Sequence, residues 1–323
     1  MKPISEIDSS TNQLYFRGIN VAELCRESYE TILHLLVHGR LPTKEEERKL
    51  SQRMIELRLL YNSDIASLFD LAGSLERIRK ENDLNLFDTL LSFVTLAPIV
   101  VAVELGNDQQ RKIWSPNYKL GHAANFLWMT KGIHPNEIDL GDFQTSLILH
   151  MDDPQNPSLS ALQANINDRK TISEALLSAL TVHMGPLHHG AGTQAMIMFE
   201  ELSEKSDKRE YLKQRLDSGG KIHGLGHRIY RGIDPRAVIL RQMLTRRIKD
   251  TSHQWIIQTS DIVAKEGRQL LSEYKEIDAY PNVDLYNAAF YYTFGFPPEL
   301  NTSLFAVSRA AGWMAHTLEY LKS

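Results

Sequence analysis

The 323-residue sequence predicts an all-α protein, and three observations carry that expectation. Apolar residues recur at helical spacing along most of the chain, almost nothing alternates with period two, and glycine or proline stands at most connections. Residues 1 to 20 are the exception, a mixture of Ser, Thr, Asn and aromatic residues that predicts short extended or turn structure ending at Arg17-Gly18. Helices follow. VAELCRESYETILHLLVHG places Leu24, Ile32, Leu35 and Leu36 on one face, with Gly39 and Pro42 as stop signals. KEEERKLSQRMIELRLL predicts a helix with a solvated charged face, and LFDTLLSFVTLAPIVVAVELG a buried core helix broken at Pro98. The pattern continues through GHAANFLWMTKG, FQTSLILHM, SEALLSALTVHM, AMIMFEEL, RAVILRQMLTRRIK, DIVAKEGRQLLSEY, LYNAAFYYTFG and SLFAVSRAAGWMAHTLEYL, with no internal repeat. His34, His38, His122 and His183 fall inside these segments and are expected to pack or to face solvent.

The length favours two domains or one large domain with an insertion. A hydrophobic share of 42%, a charged share of 24% and a net charge of −4 point away from a nucleic-acid or membrane partner, so an anionic ligand needs locally placed cations. The single cysteine, Cys25, excludes an internal disulfide and a cysteine-rich metal site. The polar start MKPISEIDSS, read together with no run of about 18 apolar residues for a membrane span, makes a cytoplasmic protein the expectation.

Three loops pair helix-breaking residues with titratable groups: GPLHH at 185 to 189, HGLGHRIYRGIDPR at 223 to 236, and PNVD at 281 to 284. His188, His189, His223 and His227 are possible zinc ligands, but the chain has no HExxH or CxxC pattern, and no metal site is expected. No GxSxG marks a serine nucleophile. In the second loop the glycines let backbone approach a ligand, His227 can donate to a carbonyl, and Arg236 offers a fork that matches a carboxylate. Arg309 lies in the amphipathic SLFAVSRAAGW; if buried it needs an anion, either an internal aspartate or a ligand carboxylate.

In order and spacing, GPLHHGA, GLGHRIYRGIDPRA, PNVD and SLFAVSRAAGWMAH resemble the successive motifs of the citrate synthase family. YFRGINVAELCRESYETILHLLVHGRLPT resembles that family's opening, and AANFLWMTKG and LILHMDD its middle helices. The resemblance implies a two-domain helical homodimer with a cleft, residues 1–187 plus 289–323 forming the large domain and 188–288 the small one. It also implies a Claisen-type condensation of an acyl-CoA, acetyl-CoA or propionyl-CoA, with oxaloacetate or a related 2-oxo acid, then release of CoA. The CoA thioester is a substrate and no cofactor is implied. By position His188 resembles the donor to the thioester oxygen, Asp284 the base that takes the acyl α-proton, and His227 the group that polarises the ketone. Arg236 and Arg309 resemble the arginines that hold substrate carboxylates, with Asn156 and Ser158 also on the substrate side. Lys221, Leu225, Gly226 and Arg228 resemble the CoA-binding positions, largely through backbone atoms between 221 and 226.

The sequence departs from the family pattern in places. Asp153 stands where a substrate-binding histidine is usual and Gln163 where many members have arginine, while His189 and Gly192 replace a glycine and an asparagine. After AGWMAH the family continues into an Arg-Pro-Arg stretch, whereas this sequence reads HTLEYLKS, a shortened C-terminus by that measure. These departures keep open a non-catalytic CoA-binding or assembly partner, and microscopic reversibility, which lets the same residues run the reaction backwards, keeps open a lyase acting on a citryl-CoA-type thioester.

Overall fold

The computed structural model describes residues 2–185 and 190–322, and its contacts gather the chain into two units, each interrupted in sequence. Unit 1 comprises Met1–Glu6, Tyr15–His188 and Ser303–Ser323, and unit 2 comprises Ile7–Leu14 and His189–Thr302. The N-terminal segment forms a small sheet in the order β1 (Ser5–Asp8), β2 (Gln13–Phe16), β3 (Ile19–Asn20). Leu14 and Phe16 are buried while Gln13 and Tyr15 are not, the period-two pattern of a half-covered strand. Tyr15 pairs with Asn20 and Phe16 with Ile19 in antiparallel register around the Arg17-Gly18 turn. Arg17 is buried there, donating to the Leu36 carbonyl and pairing with Glu319.

The helices of unit 1 are α1 (Val21–Leu24), α2 (Tyr29–His38), α3 (Lys44–Leu57), α4 (Leu68–Glu81), α5 (Leu86–Asp108), α6 (His122–Lys131), α7 (Glu137–Leu149), α8 (Pro157–Asn167) and α9 (Ile172–His183). Most begin on a side-chain cap: Ser28, Ser67, Asn85, Asn136 and Asn156 each accept a first-turn N–H, and Thr43 with Glu46 and Thr171 with Glu174 form capping boxes. The core runs along α5, which packs on α3, α4 and α6. Two expectations are corrected at α5. The helix is continuous through Pro98, which unit 1 buries with its neighbours. It is also long and apolar enough to cross a membrane, the run the sequence reading did not find, although most of its residues are buried inside unit 1 as in a core helix. His122 stacks on Tyr29 at 4.0 Å between centroids and His183 meets Trp313 edge-on at 5.7 Å, which bears out their packing roles.

Unit 2 contains α10 (Ala191–Ser203), α11 (Lys208–Asp217), α12 (Pro235–Ile248), α13 (Gln254–Ile262), α14 (Arg268–Lys275) and α15 (Asn287–Tyr292). α10 and α12 both pack on α13 and α15 and bury Met196, Phe199, Leu240, Leu244 and Phe290. Because α15 closes this core, residues 289–302 cluster with unit 2 and not with the large domain, as the sequence reading had them. The last helix, α16 (Asn301–Lys322), belongs to unit 1 from Ser303 onward and buries Trp313, Met314 and Arg309.

Candidate active site

Two loops of unit 2 are stitched together. Leu225 and Pro281 form an antiparallel bridge, the Gly226 N–H donates to the Tyr280 carbonyl at 2.7 Å, and the Asn282 N–H donates to the Gly224 carbonyl at 2.9 Å. Gly224 is required by this approach: its φ is +84° and a Cβ there would lie 2.7 Å from Leu285. Asn282 works on both loops at once. Its Nδ2 donates to the Gly226 carbonyl at 2.7 Å, and its Oδ1 accepts the Asp284 N–H at 3.0 Å. The histidine loop and the aspartate loop are therefore held in one register by backbone geometry.

His227 follows directly. Its Nδ1 accepts the N–H groups of Ile229 and Tyr230, each at 3.2 Å, and its ring lies against that of Tyr230 at 4.5 Å. A nitrogen that accepts two N–H donors carries no proton, so the ring proton sits on Nε2, which is set up as a donor. The next turn begins α12 with Asp234 as its cap and Pro235 at the first helical position. The Asp234 carboxylate accepts from Arg236 at the backbone N–H (2.9 Å), Nε (3.0 Å) and Nη2 (2.8 Å). Burial pushes the Asp234 carboxyl up, but the charge and hydrogen bonds of Arg236, with a smaller effect of His227, outweigh it and hold the group below the usual carboxylate range.

Asp284 is pushed the other way. Enclosure within unit 2 raises its carboxyl to about 6, only partly opposed by Arg236 and assisted by the negative charge of Asp234. A carboxylate of this kind is a stronger base than an exposed one and is still ionised at neutral pH. Unit 2 thus brings together four of the expected groups: His227, Arg236, Asp284 and the loop with Lys221, Leu225 and Gly226. The Arg236 fork engages Asp234 through two of its nitrogens, a pairing legible in the Asp-Pro-Arg sequence but not drawn from it. Lys221 and Arg228 are exposed, while the Gly226 N–H is already engaged by Tyr280.

Arg309, Asn156 and Ser158 belong to unit 1. Arg309 is fully buried beside Phe305, and its charge acts on buried Asp152. Asp152 also accepts from His316 Nε2 at 2.9 Å and from the Ser5 hydroxyl. Asn156 Oδ1 caps α8, accepting from the Ser158 N–H at 2.9 Å and its hydroxyl at 2.6 Å. The Ser158 oxygen accepts from Trp313 Nε1 at 3.2 Å and has no exposed surface, so here both residues build the start of α8. Asp153 turns inward on its own loop, accepting the Gln155 N–H at 3.0 Å. His188 and His189 lie outside the described residues. The sequence reading missed Asp152, His316, Asn282 and Asp234, of which only the last left a local signal, an aspartate just before a helix-starting proline.

Fold and site together define a predominantly helical protein of two interrupted units, the second holding both a base-strength carboxylate and a histidine oriented to donate. The family profile described as "Citrate synthase, C-terminal domain" matches residues 2–323. The citrate synthase of Haloferax volcanii is 32% identical over 98% of this chain and 88% of its own. The crystal structure of citrate synthase from Pyrobaculum aerophilum superposes with a TM-score of 0.88 at 27% identity, covering 100% of this chain and 87% of its own, and that from Thermotoga maritima with 0.84 at 28%, covering 100% and 89%. The chain belongs to the citrate synthase family.

Proposed function

We propose that this protein condenses an acyl-CoA with a 2-oxo acid and releases CoA, with acetyl-CoA and oxaloacetate as its substrates. Family membership supports the reaction class, and the raised Asp284 carboxyl, on a loop stitched to the one that leads into His227, is the observation that carries it. A thioester α-proton is weakly acidic, so its removal needs both a base and a donor at the oxygen where charge develops. In this reading Asp284 takes the proton and the electron pair moves onto the thioester oxygen, met there by His188. A preorganised donor of this kind contributes roughly 2.7–4 kcal/mol. The enolate carbon then attacks the ketone, whose oxygen takes its proton from His227 Nε2, and water hydrolyses the new thioester to free CoA.

Arg236 and Arg309 balance the carboxylates of the oxo acid, while Lys221, Leu225, Gly226 and Arg228 receive CoA, the two exposed cations suiting its phosphates. The working assembly in this reading is a homodimer. Thiol release measured across a matrix of acyl-CoAs and 2-oxo acids tests the proposal. The expected result is turnover with acetyl-CoA and oxaloacetate that His188→Ala and Asp284→Asn both abolish. CoA binding without turnover for any pair counts against it, and a preference for propionyl-CoA would reassign the acyl substrate.

A further inference from the structure

Four successive backbone N–H groups follow His227, and all four converge on two acceptors. Those of Ile229 and Tyr230 donate to His227 Nδ1 at 3.2 Å each. Those of Arg231 and Gly232 donate to a single oxygen, Asn12 Oδ1, at 2.8 and 3.0 Å. Asn12 stands near the tip of the β1–β2 hairpin, more than 200 residues away in sequence, within the hairpin segment Ile7–Leu14 that belongs to unit 2. Gly232 admits this contact, since a Cβ there would lie 2.6 Å from Asn12 Nδ2. Asn12 has a φ of 52°, a left-handed conformation that asparagine tolerates better than most residues.

The turn is a run of four consecutive N–H donors, the first two taken by an imidazole nitrogen and the last two by a carboxamide oxygen. The peptide planes that carry the Tyr230 and Arg231 N–H groups meet at the Tyr230 Cα, so fixing the 231–232 end restricts the backbone rotations by which the 229–230 N–H groups could turn away from Nδ1. We propose that Asn12 is a positioning residue for His227: by anchoring the Arg231–Gly232 end of the turn it keeps Nδ1 an acceptor and the donor proton on Nε2. The consequence for catalysis rests on the role given to His227 above, whereas the tautomer itself does not.

The test is 15N NMR of the histidine side chains at a pH where they are neutral, with the His227 signals assigned through His227→Gln, alongside steady-state kinetics. In the unaltered protein His227 shows a single Nε2–H tautomer. Asn12→Ala is expected to give a mixture with Nδ1–H and to lower kcat on the order of tenfold, with the KM for acyl-CoA little changed. Asn12→Asp keeps the acceptor oxygen and is expected to restore the single tautomer. A folded Asn12→Ala protein whose His227 signals and kcat match the original overturns the proposal. Should Asn12→Ala fail to fold, Asn12→Ser, which withdraws the oxygen by shortening the side chain, carries the same two outcomes. An unaltered protein that shows the Nε2–H tautomer but condenses no substrate speaks against the proposed function and leaves the positioning claim standing on the NMR result.

Discussion

Asp284 shows what one residue's environment does to both chemistry and stability. An unfolded carboxyl titrates near 3.8 and the folded one near 6, so between those values folding is linked to proton uptake. The sign follows: a raised carboxyl costs nothing below the unfolded value, and its penalty grows as pH rises and is complete above the folded value. At neutral pH that penalty is at most about 3 kcal/mol, and smaller because the side chain keeps some contact with water. Asp284→Asn is therefore expected to raise the unfolding midpoint at about pH 8 and to lose that advantage near pH 4, a comparison that thermal melts at the two pH values make directly. A gain of equal size at both would show that charge is not its source. The identity of Asp284 was legible in PNVD, but its basicity was not, because that depends first on burial by the packing of unit 2, with Arg236 opposing and Asp234 assisting from the start of α12.

At the scale of elements, the histidine and aspartate loops of unit 2 are stitched by backbone hydrogen bonds and tied a second time by the side chain of Asn282. Its side chain ties the Gly226 carbonyl to the Asp284 N–H, so Asn282→Ala leaves both groups without that partner. Removing it is expected to cost about 1–3 kcal/mol in chemical denaturation and to raise hydrogen exchange at the Asp284 N–H before other parts of unit 2. Uniform exchange across both loops would instead make Asn282 ordinary turn chemistry. Helix existence was legible from apolar spacing almost throughout, and the stops at Gly39 and before Pro42 held because their chemistry is local. The break at Pro98 was not there, since the surrounding helices of unit 1 bury the segment and favour continuity over the local preference of proline. The stitching of the histidine loop to the aspartate loop was illegible because its hydrogen bonds join residues more than fifty apart.

At the scale of the molecule, unit 1 is assembled from three separated stretches of chain, and Asp152 joins them. It accepts from Ser5 in the first and from His316 in the last, and it feels the charge of Arg309 in the last. Burial pushes its carboxyl up, yet these partners prevail and hold it below the usual range, so its contribution is present above the unfolded value and lost only as pH falls through the folded one. Asp152→Ala is expected to destabilise the protein by about 3–5 kcal/mol at neutral pH, seen as an earlier denaturation midpoint for probes in α16. A shift confined to unit 2 would contradict this. The placement of residues 289–302 and of the 7–14 hairpin in unit 2 was not legible, because both depend on contacts distant in sequence.

The central claim is that Asp284 is the base of a condensation reaction, and the most direct test is the pH dependence of kcat/KM for acetyl-CoA at saturating oxaloacetate. The account predicts a rate that climbs through about pH 6 as Asp284 loses its proton, and an Asp284→Asn protein that has lost that limb together with at least about a hundredfold in rate. An acid limb that persists unchanged in the Asn variant, with rate retained, would contradict it.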